Sequence, residues 1–334
     1  MASTDQEPAL NRGYVAGLAG GCALIALFCL LNILADPTGE FGLSGRFAFN
    51  LAPPPAAIAR GMEGGNPAFY SRAIRESDAN LFIAGQSRTW RGFDTCGRSG
   101  ILRVAGSAWG ISELARTQRM ILQSRRRPIT LMVEIGLPQD ESNRVGSPLT
   151  DAISVALSPK TALFSLQTVA ASLAGNRAPP SYLPCWPLPS PRADWAEASR
   201  TLRATTHFID ATSESLRRGR ANVVAMADEA DRICARYGIA HRLIYFSLPS
   251  TPARSPARNL DRVVRLNSKS LASMFARRRP RRHGCIISYR DFTSSPPGSP
   301  EEQALWRDRS QWSDYVHYSP RLGDIALRTL LQQE

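Results

Sequence analysis

The chain has 334 residues, 43% of them hydrophobic and 21% charged, a balance that supplies a sizeable core and excludes a wholly disordered protein. Its formal charge is +13, and all but two of its 41 basic residues are arginine, the exceptions being Lys160 and Lys269. The densest basic run, Arg277-Arg278-Arg279-Pro280-Arg281-Arg282, sits in no helix-turn-helix, finger or RNP pattern, so nucleic acid is not an expected partner; anionic lipid head groups or an acidic polysaccharide suit the charge better.

In chain order, residues 1–12 read as a short cytoplasmic tail. Gly13 to Ala35 contains no charged residue and, at about 1.5 Å per residue, reaches across a hydrocarbon core of about 30 Å. Arg12 precedes this run and Asp36 and Glu40 follow it, which orients the N-terminus toward the cytoplasm. A cleaved signal peptide is the rival reading, but the run is long for one and ends in no small-x-small site. The expectation is a single-pass anchor in a bacterial inner membrane, with the main domain in the periplasm. Cys22 and Cys29 then lie in the membrane, while Cys96, Cys185, Cys234 and Cys285 face an oxidising compartment. Four cysteines allow three complete pairings, and the sequence does not choose among them. Their spacing suits no zinc site, and neither a metal nor a cofactor is expected.

Residues 36–78 are rich in glycine and proline, including Pro53-Pro54-Pro55, and read as a stalk or as a wrap onto a domain surface. The domain is expected over 79–334. Short apolar runs at Asn80–Ala84, Leu102–Ala105, Ile129–Ile135, Arg242–Leu248 and Cys285–Tyr289 predict five strands. Helical stretches are expected at Ser112–Arg126, Asp194–Tyr237 with a break near Gly219, Asn259–Arg277 and Arg321–Gln332. Strands alternating with helices predict an α/β fold: a three-layer αβα sandwich on a parallel sheet, flavodoxin-like in class. Residues 138–193 interrupt the alternation as a long insertion whose Asn176–Arg192 stretch carries six prolines interleaved with Tyr182 and Trp186. It reads either as a lid or glycan-facing surface, with those two rings as candidate substrate-binding groups, or as a solvated insertion without a role.

Two motifs carry chemistry. Gly85-Gln86-Ser87-Arg88 closes the first strand, and Asp314-Tyr315-Val316-His317-Tyr318 lies near the C-terminus. A serine just outside the carboxyl end of a parallel strand is where such sheets place reactive groups. Asp314 and His317 add an orienting carboxylate and a base, completing what acyl transfer needs. Each residue alone has a plainer reading: Ser87 as a helix N-cap, His317 as a loop histidine, Asp314 as a turn cap. Their conjunction, in this order, favours a triad.

On these motifs the chain resembles the SGNH (GDSL-like) hydrolase superfamily, in particular membrane-anchored bacterial members reading Gly-Ser-Ser-Arg at the serine block. Those relatives include proteins that acetylate exopolysaccharides and the D-alanyl transfer protein of teichoic acid synthesis. The resemblance covers about Asn80 to the C-terminus and extends loosely to the anchor and Asp36-Pro37-Thr38-Gly39. It implies Ser87 as nucleophile, Asp314 and His317 as its partners, and the N–H groups of Ser87 and Gly110 as the oxyanion site, Gly110 ending the second block, Ala105-Gly106-Ser107-Ala108-Trp109-Gly110. Two positions depart from the family pattern. Gln86 stands where aspartate usually precedes the serine. The third block, usually Gly-x-Asn-Asp, is Gly136-Leu137-Pro138-Gln139-Asp140, in which Pro138 has no N–H; Gln139 or Asn143 are the candidates to replace the missing asparagine. Arg88 either recruits an anionic substrate group or pairs with a nearby carboxylate.

The expected function is serine-dependent acyl-ester chemistry, as an O-acetyltransferase or O-acetylesterase, on an exported or cell-envelope polysaccharide. For a transferase, the resemblance implies an integral membrane O-acyltransferase as partner. The alternative is a catalytically inactive SGNH-like scaffold or glycan-binding component of an export or modification complex.

Overall fold

The computed structural model describes residues 7–35, 70, 74–75, 77–95, 98–106, 109–136, 153, 156–173, 213–250, 260–279, 284–313 and 317–332. The chain divides into two units, one formed by residues 1–52 and 146–182, the other by 53–145 and 183–334.

The second unit is built on five parallel strands: β1 (Leu81–Gly85), β2 (Ile101–Ala105), β3 (Thr130–Glu134), β4 (Arg242–Ser247) and β5 (Ile286–Asp291), in the order β2-β1-β3-β4-β5. All five match the strands expected from apolar runs, to within about two residues at each end. In this strand order the chain reverses direction between β1 and β3, so the carboxyl ends of those two strands flank a topological switch point. Period-2 alternation divides the core. Phe82, Ala84, Val104, Leu131, Val133, Leu243 and Tyr245 face one side, and Leu81, Ile83, Met132, Ile244 and Phe246 face the other.

The first side is covered by α3 (Ile111–Ser124) and α5 (Ser213–Tyr237), with α6 (Leu260–Ala276) alongside. The second is covered by α8 (Pro320–Gln332) through Leu322, Ile325, Ala326 and Leu330, together with Trp306 and Trp312. α5 runs unbroken through Gly219, against the expected break. Gly219 sits on a helix whose remaining residues bury a long apolar stripe (Val223, Met226, Ala227, Ala230, Ile233), and that packing outweighs the roughly 1 kcal/mol penalty of a mid-helix glycine. Two short helices carry no predicted range: α2 (Ser87–Gly92), whose start the helix-cap reading of Ser87 anticipates, and α7 (Pro300–Leu305). At six residues each, neither is long enough to show a helical period.

The domain begins earlier than residue 79. Tyr70 and Ile74 are fully buried in the core, the Tyr70 hydroxyl donates to the Ala105 carbonyl at 2.7 Å, and the Arg125 guanidinium donates to the Ile74 and Ser77 carbonyls. The end of the Gly/Pro-rich stretch is therefore a wrap onto the domain. Cys234 and Cys285 form a disulfide linking α5 to the residue before β5, one of the pairs left open by the sequence. Closing a loop of 51 residues typically stabilises by about 2–4 kcal/mol. Cys96 and Cys185 lie outside the described residues.

His241, just before β4, is buried, and its Nδ1 accepts the Ile129 N–H at 3.3 Å. That acceptor role requires a neutral ring, and burial lowers its pKa below the ordinary value. A depressed folded pKa means that the unfolded chain takes up the proton first. This contribution to stability is thus complete above about pH 6.5 and is lost as pH falls below it. Thermal unfolding between about pH 7.5 and about pH 5 should show a shallower decline for His241→Asn, which keeps an acceptor and cannot titrate.

In the first unit, α1 (Glu7–Ala35) contains the segment Gly13–Ala35, long and apolar enough to cross a membrane. Tyr14, Leu18, Leu24, Leu27 and Leu30 on it are exposed. The insertion expected to be loop over 138–193 carries a helix, α4 (Pro159–Leu173), packed against α1.

Candidate functional site

Ser87 is placed by a tight turn. β1 ends at Gly85, Gln86 takes an extended N-cap conformation (φ −92°, ψ −163°), and Ser87 opens α2. Gly85 is required here because a Cβ would lie 1.7 Å from Thr89 Oγ1, which folds back over the turn. The first N–H groups of a helix have no intrahelical partner; in α2 the first backbone bond comes from Trp90 N–H to the Gln86 carbonyl. Arg103 on β2, itself buried, donates to the Trp90 and Phe93 carbonyls at the other end of α2 and lies 4.6 Å from the Trp90 ring centroid. The serine thus stands on a short helix held at both ends.

His317 arrives on a hairpin. Trp312 and Tyr318 form an antiparallel bridge, the Ser313 N–H donates to the His317 carbonyl at 3.0 Å and the Ser319 N–H to the Gln311 carbonyl at 2.8 Å. The base of the hairpin is an aromatic cluster of Trp306, Trp312 and Tyr318, with centroids 5.7–6.1 Å apart. This geometry brings His317 Nε2 to 2.9 Å from Ser87 Oγ, across 230 residues of sequence. Of the expected triad, Ser87 and His317 therefore meet at hydrogen-bond distance. Asp314 lies outside the described residues, as do Tyr182, Trp186, Gln139 and Asn143.

Beneath this pair lies a residue that the sequence reading did not single out. Glu134, the last residue of β3, is 2% exposed. Its Oε2 accepts from Thr89 Oγ1 at 2.6 Å and from the Tyr318 hydroxyl at 3.0 Å, and its Oε1 faces Arg88 Nε at 3.3 Å. Glu134 thereby ties the helix that Ser87 opens to the residue beside His317. Burial first, and the adjacent carboxylate second, raise the Tyr318 pKa well above its ordinary value, so the hydroxyl stays protonated and donates. The available signal was a lone carboxylate in the apolar run Ile129-Thr-Leu-Met-Val-Glu-Ile135, since a buried acid needs partners.

Arg88, considered for substrate binding, is turned inward. Its side chain is 12% exposed, paired with Glu134, with Nη2 donating to the Pro249 carbonyl at 2.7 Å. Gly110, expected to supply an oxyanion N–H, opens a helix. It is the N-cap of α3, and its N–H donates at 2.8 Å to Glu113 Oε2, the one half of a capping box open to a residue without a side chain. That N–H is engaged within the turn and does not stand open toward an oxyanion. Gln86, at the usual aspartate position, donates through Nε2 to the Trp109 carbonyl, and its Oε1 lies 2.8 Å from where a Gly136 Cβ would be. It bridges the loops that follow β2 and β3. Among the described residues, Ser87 supplies the one expected oxyanion N–H still available, and no group of three or more His, Cys, Asp or Glu could hold a metal.

Close backbone approach sets the spacing of the two motifs. A Cβ on Gly92 would fall 1.8 Å from the Tyr318 ring, and one on Gly323 would fall 1.8 Å from the Gly92 carbonyl oxygen. Gly92→Ala should cost about 1–3 kcal/mol through overpacking. It should also displace Tyr318, and His317 with it, from Ser87. The expected result is a lowered melting temperature together with lower turnover per folded molecule, measured at a temperature where the variant stays folded. Compared with known proteins, the chain matches no family model, and no curated protein matches it.

Proposed function

We propose that this protein carries out serine-dependent acyl-ester chemistry, as an SGNH-type O-acetyltransferase or O-acetylesterase acting on an exported or cell-envelope polysaccharide. The observation that carries this reading is the 2.9 Å contact between Ser87 Oγ and His317 Nε2, at the carboxyl end of β1 beside the switch point. In the proposed reaction His317 Nε2 takes the proton as Ser87 Oγ attacks the ester carbonyl carbon, and Asp314 fixes the imidazole. The Ser87 N–H faces the oxyanion as the tetrahedral intermediate forms. Its collapse breaks the bond to the leaving alcohol, which receives the proton from His317. Water or a sugar hydroxyl then attacks the acyl-enzyme, with His317 again as base. The first acceptor gives an esterase and the second a transferase.

The location belongs to the same proposal: α1 as a single-pass inner-membrane anchor, with the sheet domain in the periplasm and an integral membrane O-acyltransferase as partner. The Cys234–Cys285 disulfide supports an oxidising compartment. The Gly110 N–H engaged by Glu113 supports a second reading, a non-catalytic SGNH-like scaffold or glycan-binding component, because losing one oxyanion donor costs about 100- to 1,000-fold in turnover.

The test is treatment of the full chain in detergent with a serine-reactive phosphonate, with the adduct mapped by mass spectrometry. An adduct on the peptide holding Ser87, with acetyl-ester hydrolysis lost in step, is the expected result. A folded protein that takes no adduct and turns over no ester would instead fit the scaffold.

A further inference from the structure

The first unit presents a helix whose surface pattern is inverted relative to a water-facing helix. α4 turns Thr161, Ala162 and Ser165 inward, all buried, and leaves Leu163, Leu166 and Leu173 at 48%, 56% and 83% exposure. An amphipathic helix of a soluble domain does the opposite, burying leucine and exposing threonine and serine. Small and hydroxylated residues at a helix–helix contact, with leucines outward, is the arrangement adopted when the surrounding medium is hydrocarbon. Ile153 and Leu157, just before α4, are exposed as well. No charged residue occurs from Thr161 to Asn176.

The contact with α1 has the same logic. Asn32, inside the apolar run, is fully buried. Its Nδ2 donates to the Ala156 carbonyl at 2.7 Å and, more weakly, toward the Ser158 carbonyl at 3.4 Å. Its Oδ1 lies 3.0 Å from Ser165 Oγ, whose single proton can alternatively go to the Thr161 carbonyl at 2.9 Å. An amide near the end of a membrane-crossing helix needs such partners, because lipid provides none. The α4 segment supplies all of them.

We infer that α4 is a second membrane-embedded element, clamped through Asn32 to the C-terminal end of α1, with its Leu163, Leu166 and Leu173 face in the acyl chains of the bilayer that holds α1. Fifteen residues at about 1.5 Å each give about 22 Å, short of the roughly 30 Å needed to cross. The helix therefore lies within one leaflet or its boundary. Lipid is favoured over a partner protein because α4 packs against α1, whose Leu27, Leu30 and Leu34 are exposed as well. This inference rests on the proposal that α1 is a membrane anchor.

The test uses the full chain in lipid nanodiscs, with Cys22, Cys29, Cys96 and Cys185 replaced by alanine and the Cys234–Cys285 disulfide retained. Single spin labels are placed at Leu27→Cys on α1, Leu166→Cys and Leu173→Cys on α4, and Ala221→Cys on exposed α5, and collision with oxygen is compared with collision with a water-soluble nickel chelate. Excess oxygen collision at 166 and 173, matching 27 and opposite to 221, is the expected result. Lipid values at 27 with nickel-accessible labels at 166 and 173 overturn the inference alone. Nickel access at 27 as well overturns the anchor and the inference together. Labels at 166 and 173 shielded from both reagents overturn it in favour of a protein partner on that face.

Discussion

Ser87→Ala is expected to reduce acyl-ester turnover by about 10,000-fold or more while leaving the fold intact, an effect of the size seen when a hydrolase loses its nucleophile. The side chain removed makes its described contact with His317 alone, at 2.9 Å, and α2 does not depend on it: the N-cap is Gln86, and both ends of the turn are held by Thr89 and Arg103. The melting temperature should therefore change little. Because nucleophile and base act as one unit, His317→Ala should lose a comparable factor, and the double variant little more than either single one. Steady-state hydrolysis of an acetyl ester by all three variants checks this. Multiplying losses would mean that Ser87 and His317 act separately. Full turnover in Ser87→Ala would remove the acyl-enzyme from the proposed function altogether.

Glu134→Ala is expected to destabilise the domain by about 3–5 kcal/mol, the usual cost of removing one partner from a buried ion pair. That is a large share of the 5–15 kcal/mol by which domains are typically stable. The variant leaves the nearly buried Arg88 guanidinium without its carboxylate and both the Thr89 and Tyr318 hydroxyls without their acceptor. Most of the loss comes from those stranded groups and not from the net worth of the pair. Replacing both charges with apolar residues, as Arg88→Met with Glu134→Leu, should accordingly cost less than Glu134→Ala alone. Denaturant unfolding of the three proteins measures this. A loss below about 1 kcal/mol in Glu134→Ala would show that Arg88 and Tyr318 find other partners. Turnover should fall in the variant as well, since Glu134 links the segments that carry Ser87 and His317.

Much of the sheet domain was legible because its signals are local. Each β-strand is five or six residues long and centred on or opened by an apolar run, and the alternation of strands with long helices implies parallel pairing without any distant contact. The features that the sequence left open or misplaced depend on competition for polar groups and on tertiary packing. Gly110 carries an N–H in the right sequence block, but Glu113 three residues on takes that N–H for a helix cap. Arg88 has two readings beside the serine, and pairing with a carboxylate is the one realised, Glu134 and the Pro249 carbonyl drawing it inward. Gly219 has the propensity to break α5, and packing against the sheet overrides it. Tyr70 and Ile74 sit in a Gly/Pro-rich stretch that reads as a stalk or a wrap, and packing decides for the wrap: Tyr70 against Ala105 and Trp109, Ile74 within the same core.

The sequence by itself determined the α/β class, the five strands and the apolar helix at the N-terminus, and it singled out Ser87 and His317 as candidates, because hydrophobic period and residue chemistry are properties of neighbours in the chain. Only the tertiary structure decided that Ser87 and His317 touch, that Glu134 joins their supports, that Cys234 pairs with Cys285 and that Asn32 is satisfied by the α4 segment. Those pairings span 45 to 230 residues, and at such separations strand order and backbone approach, as at Gly92 and Gly323, select which polar groups meet.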